Sequence, residues 1–69
     1  MEQLSTRNQL RGKVKSVTKG AVMAEIVITL DGGQELVSVI TKNSAERLQL
    51  KTGDVVTALV KATEVMVGK

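Results

Sequence analysis

The chain has no cysteine, no histidine, no proline and no phenylalanine, tyrosine or tryptophan. Each absence removes a class of function. Without Cys or His there is no disulfide and no thiolate or imidazole metal site. No nucleophile–base pair, metal cluster or paired-carboxylate constellation is visible either, so an enzyme is not expected. Without aromatic rings there is no platform on which nucleic-acid bases could stack, a contact of about 1–3 kcal/mol per base. No apolar run approaches the roughly 18–20 residues of a membrane-spanning helix, and the start lacks a charged-then-apolar signal pattern. A cysteine-free sequence carries no redox information, so a cytoplasmic location is the default. What remains is a supply of N–H and O–H donors, which suits holding something better than transforming it.

Sixty-nine residues make one domain at most, read here as 1–69. A chain this short buries a modest fraction of its surface. Its 42% apolar content contains no aromatics, so the core is built from Val, Ile, Leu, Met and Ala. With no covalent or metal reinforcement, oligomerisation is expected on stability grounds alone. The net charge of +3 favours a small anion or an acidic partner. It falls short of the dense basic face of a nucleic-acid binder.

Glycine, in place of proline, punctuates the chain. Leu10, Gly12, Val14 and Ser16 alternate with Arg11, Lys13 and Lys15, the pattern of a half-buried strand with a basic outer face. Thr18-Lys19-Gly20 predicts a turn. Alternation resumes with Val22, Ala24, Ile26, Ile28 and Leu30 on one face, and Met23, Glu25, Val27 and Thr29 on the other. The partly apolar second face could be covered by another subunit. Asp31-Gly32-Gly33 is a strong hairpin signal, and Leu36–Ile40 reads as a third strand. A change of period at Ala45 and Leu48 then predicts one or two turns of helix. Asn43 with Glu46 suggests a capping box, and Thr41 competes as N-cap. Lys51–Asp54 turns the chain into a fourth strand, Val55–Lys61. Ala62-Thr63-Glu64 interrupts it, and Val65-Met66-Val67 is expected to close the chain as a fifth. Five strands with one short helix between the third and fourth predict an all-β fold, a small, partly open Greek-key barrel of the oligomer-binding (OB) type. A five-stranded barrel of different strand order fits the same pattern.

Three polar segments are candidates for function. Ser5 and Arg7 precede the first strand, and Lys61 ends the fourth. Arg and Lys without neighbouring acids attract an anion, and a hydroxyl shapes its recognition. Thr41-Lys42-Asn43-Ser44 lies where a helix begins, with unpaired N–H groups and the positive end of the helix dipole. Each segment alone also has an ordinary structural reading: a turn residue, a solvated charge, a helix cap, or a lysine guarding a sheet edge. Lys13, Lys15 and Lys19 read as a solvated basic face, and Met23 and Met66 as packing residues.

The string Leu4-Ser5-Thr6-Arg7-Asn8-Gln9-Leu10-Arg11-Gly12-Lys13-Val14 resembles the N-terminal signature of the molbindins, small proteins made of a single Mop (TOBE-like) domain. Lys19-Gly20 through Ala24-Glu25, Gly32-Gly33, and Lys61 through Val67 agree in order and spacing, so the resemblance spans essentially the whole chain. It implies a cytoplasmic binder of molybdate, and often tungstate, serving molybdenum storage or homeostasis without an organic cofactor. It also implies dimers that share strands and assemble into hexamers, with oxyanion sites between subunits. Carried onto this sequence, the principal site uses Ser5, Thr6 and Arg7 of one subunit. Thr41, Ser44, Lys61 and Ala62 come from the facing one, with Thr6 and Ala62 giving mainly backbone N–H groups. Two positions depart from the pattern. Ala62 stands where some relatives have Ser, leaving only a main-chain donor, and Met23 replaces a smaller, sometimes hydroxylated residue. A second oxyanion site where dimers meet is implied near Lys19, Gly20, Ala21 and Val22. No metal ligation by side chains is needed.

These donors suit a tetrahedral dianion, because several hydrogen bonds to a charged acceptor, at about 1.5–3 kcal/mol each, can offset its desolvation. Sulfate carries the same charge on a smaller tetrahedron, so discrimination is expected to rest on size, with tungstate competing well. The competing classes are a small basic OB-like nucleic-acid-binding barrel and a regulatory interaction module. The missing aromatics weigh against the first, and the lack of anything beyond the barrel against the second. Neither a nucleic-acid nor a membrane partner is expected.

Overall fold

In the computed structural model, which describes residues 4–69, the chain forms four strands and one short helix. β1 spans Asn8–Lys19, β2 Met23–Leu30, β3 Glu35–Thr41, α1 Lys42–Arg47 and β4 Val55–Val60. All pairings are antiparallel, and the sheet order is β3-β2-β1-β4. Three hairpin-connected strands with the fourth returning beside the first is the Greek-key order. The helix lies between the third and fourth strands, as the change of period predicts.

The long strand β1 serves two neighbours. Its first half, Asn8–Lys13, pairs with β4, and its second half, Gly12–Lys19, pairs with β2. Only Gly12 and Lys13 are flanked on both sides, so the sheet curls there. Gly12 makes the curl sterically feasible: a Cβ at this position would stand 2.5 Å from the Thr29 carbonyl oxygen and 2.8 Å from Ile28 Cγ2. A bulge between Val14 and Ser16 adds further bending, as bulges do.

The core forms on the concave side. Val14, Ala24, Ile26, Ile28, Ala45 and Ala58 are buried, with Val17, Leu30, Leu36, Ile40, Leu50 and Val56 packed around them. The alternation read for β2 therefore holds from Ala24 onward. It fails at Val22, which is 70% exposed. β1 continues to Lys19, so the turn falls at 20–22 and not at Thr18–Gly20. Gly20 N–H closes this turn by donating to the Met23 carbonyl at 2.8 Å.

Of the five strands expected for a partly open barrel, four form, and they make a curled antiparallel sheet. After β4 a 3-10 turn covers Ala62–Glu64, and Val65-Met66-Val67 continues as an exposed segment outside the sheet. A consecutive apolar run makes a segment competent to pair, but the 3-10 turn directs this one out of the line of β4. β3 and β4 are the two sheet edges, and between them lies an apolar cavity of about 470 Å³ lined by Ile26, Leu36, Ile40, Leu50, Val56 and Ala58 among others. The protein is thus an all-β curled sheet with an open seam.

Candidate functional site

The first pair of the β1–β4 ladder, Asn8 with Val60, sets the chain entering β1 beside the chain leaving β4. Asn8 strengthens this junction by donating its side-chain amide to the Val60 carbonyl at 3.1 Å. Gln9 folds back in the same way and donates to the Thr6 carbonyl at 2.8 Å. The two amides of the Asn8-Gln9 pair thereby fix the shape of the preceding segment.

The result is a small cavity of about 230 Å³ lined by Ser5, Thr6, Arg7, Lys61, Ala62 and Thr63. Its lining holds a guanidinium and an ammonium but no carboxylate. Thr6 is half-buried and the other five are exposed. On the far wall, the 3-10 turn is closed by Glu64 N–H donating to the Lys61 carbonyl at 2.9 Å and Val65 N–H to that of Ala62 at 3.4 Å. Cationic groups with hydroxyl and amide donors attract an anion and repel a metal cation. Among the described residues no group of three or more Asp or Glu is placed to hold a metal ion. The larger cavity at the β3–β4 seam has no charged lining residue and suits apolar groups.

The structure brings Ser5, Thr6, Arg7, Lys61 and Ala62 together within one chain, where the sequence reading divides them between two copies. Thr41 and Ser44 are elsewhere. β3 ends at Thr41, which pairs with Met23 at the start of β2, and β2 starts beside Lys19 at the end of β1. Arg7 adjoins the opposite end of that 12-residue strand.

Of the two competing caps, Thr41 is the one used. Its Oγ1 accepts from Ser44 N–H at 3.0 Å, as an N-cap hydroxyl does. It also donates to Ser44 Oγ at 2.8 Å, and Arg47 Nη2 donates to the same oxygen at 3.4 Å. Ser44 Oγ thus receives two hydrogens and keeps its own available, whereas the Thr41 hydrogen is engaged. The second candidate group is at this same end. Lys42 N–H donates to the Val22 carbonyl at 2.7 Å, and Lys19 Nζ is 3.9 Å from a Glu46 carboxylate oxygen. Lys19, Gly20, Ala21 and Val22 therefore neighbour Thr41 and Ser44, a grouping their sequence separation conceals. Thr63 is the lining residue that sequence reasoning missed; its place directly after Lys61-Ala62 was the available signal.

A curled Greek-key sheet carrying this donor set belongs to a recognised class. Residues 4–67 match the TOBE domain model, and the chain is a member of the TOBE domain family. It is 47% identical over 64 residues to molybdenum-pterin-binding protein 2 of Clostridium pasteurianum, covering 93% of this chain and 94% of that one. Two solved structures resemble it closely. A molybdate-binding protein from Sporomusa ovata superposes with a TM-score of 0.93 at 51% identity, covering 99% of this chain and all of the other. The cytoplasmic molybdate-binding protein ModG superposes with a TM-score of 0.86 at 46% identity, covering 88% of this chain and 43% of ModG.

Proposed function

We propose that this protein binds molybdate, with tungstate as an effective competitor, in the cavity formed by Ser5, Thr6, Arg7, Lys61 and Ala62. The observation that carries the reading is that cavity itself: an arginine, a lysine and hydroxyl-bearing residues line it, and no acid does. The names of the relatives point to the same ligand class. The role is binding and not catalysis, in molybdenum storage or homeostasis, by a single Mop-type domain over 1–69. A cytoplasmic setting follows the description of ModG. No helix among the described residues is long and apolar enough to cross a membrane. The ligand is the inorganic oxyanion without an organic cofactor, since a pterin ring would find no aromatic side chain to stack on.

The complete site lies between copies. Thr41 and Ser44 are at the far end of β1 from Arg7, so only a second chain can bring the available Ser44 hydroxyl, with Thr41 orienting it, to the same anion. The open seam and the exposed Val65–Val67 segment support an exchange in which each chain's last segment pairs with its partner, giving dimers that assemble to hexamers. Lys19, Gly20, Ala21 and Val22 are assigned to a second oxyanion site where dimers meet.

Titration calorimetry tests the ligand, and native mass spectrometry with and without molybdate tests the assembly. Molybdate and tungstate are expected to bind with sulfate much weaker. Equal affinity for sulfate refutes the size argument, and a monomer at micromolar concentration refutes the shared site.

A further inference from the structure

We propose that Thr63 is a ligand-contacting and selectivity-determining residue of the oxyanion site, its hydroxyl donating to the bound anion. The inference rests on the oxyanion reading of the cavity and extends it to a residue that reading does not use. Thr63 lines the same cavity as Ser5, Thr6, Arg7, Lys61 and Ala62. Its position is set by the 3-10 turn Ala62–Glu64, whose internal bonds come from the backbone of Glu64 and Val65. The Thr63 side chain has no part in building that turn, and Lys61, its N-cap, makes no side-chain cap bond.

Two threonine hydroxyls of the chain have structural tasks, whereas that of Thr6 in the same cavity has, like that of Thr63, no hydrogen-bond partner among the described residues. Thr41 caps α1 and donates to Ser44, and Thr52 donates to the Lys15 carbonyl. Among the described residues the Thr63 hydroxyl has no such partner, so its hydrogen is free to be donated. Ala62 beside it has no hydroxyl to offer. Of the late lining residues Lys61, Ala62 and Thr63, only Thr63 carries a hydroxyl, and Ser5 and Thr6 line the same cavity from the early segment. Held on a short closed turn and not on a long side chain, Thr63 sets one boundary of the space an anion must fill. A smaller tetrahedron is left farther from it, so loss of the hydroxyl penalises molybdate more than sulfate.

The test compares wild type with Thr63→Val, which keeps the shape and removes the hydroxyl, and Thr63→Ser, which keeps the hydroxyl. Calorimetry with molybdate and sulfate gives affinities, and circular dichroism with native mass spectrometry verifies fold and assembly. Thr63→Val is expected to weaken molybdate binding about tenfold or more, the effect of one hydrogen bond to a charged acceptor. The molybdate-to-sulfate ratio falls with it, and Thr63→Ser stays within about threefold of wild type. Wild-type affinity and selectivity in Thr63→Val overturn the assignment while leaving the site intact. A wild-type protein that binds no molybdate overturns the oxyanion reading and this inference together.

Discussion

Replacing Val67 with aspartate tests whether the terminal segment is buried by a partner. Val67 and Met66 are each 93% exposed and Val65 is 51% exposed, beside a sheet whose seam between β3 and β4 is lined by apolar side chains. In an extended segment Val65 and Val67 share one face. Seating one valine side chain in the apolar seam contributes about 1.5–3 kcal/mol. A reciprocal exchange seats two copies, so Val67→Asp removes about 3–6 kcal/mol from the dimer, before any cost of burying the new charge. At 1.4 kcal/mol per tenfold change, the dissociation constant rises by about two to four orders of magnitude. Sedimentation equilibrium over a concentration series measures this directly. Far-UV circular dichroism should meanwhile remain β-rich, because the ladders β1–β4, β1–β2 and β2–β3 do not involve residue 67. A variant with the wild-type dissociation constant refutes the strand exchange.

Arg7→Ala and Lys61→Ala each remove one cationic donor from the cavity lining. Each should weaken molybdate binding by about ten- to a hundredfold in calorimetry with the oligomer intact, and unchanged affinity in both removes them from the site. Gly12→Ala places a Cβ 2.5 Å from backbone oxygen, so urea unfolding should show a loss of about 1–3 kcal/mol or more. An unchanged midpoint would mean that β1 is not held as closely to β2 as the structure has it.

Much of this architecture was legible because strand periodicity and turn chemistry are local. The alternation of Ala24, Ile26 and Ile28 located β2 and its buried face, and Asp31-Gly32-Gly33 located the hairpin, with Gly33 at φ +93°. The choice between Thr41 and Asn43 as cap was not legible, since both residue types cap well and only the end of β3 at Thr41 decides. The fifth strand misled for a different reason. Val65-Met66-Val67 has the pattern of a strand, but pairing is a long-range event, and the 3-10 turn leads the segment out of its own sheet. At the candidate site, the motif marked Ser5–Arg7 and Lys61, but their juxtaposition follows from the Asn8–Val60 register, separated by 52 residues. Thr63 follows Lys61-Ala62 directly, but only the 3-10 turn Ala62–Glu64 brings it to the cavity, and a turn of that kind leaves no periodic pattern.

On the proposed strand exchange, the place of the late segment would tie binding to assembly, and the tie has a measurable sign. Lys61, Ala62 and Thr63 form a wall of the cavity, and Val65–Val67 follows within two residues. An anion that binds only a folded state stabilises it by RT ln(1 + [L]/Kd), about 2.7 kcal/mol at a hundredfold excess over Kd. If every donor came from one chain, that stabilisation would raise the midpoint of unfolding and leave the subunit dissociation constant unchanged. If Thr41 and Ser44 of a second chain complete the site, the anion binds the assembled state better than the separated one. Linkage then requires it to tighten assembly by the same factor by which assembly tightens the anion. Sedimentation equilibrium should therefore show the subunit dissociation constant falling as molybdate is added and staying unchanged with sulfate at the same ionic strength. A dissociation constant that molybdate leaves unchanged would place the whole site within one chain and sever the link.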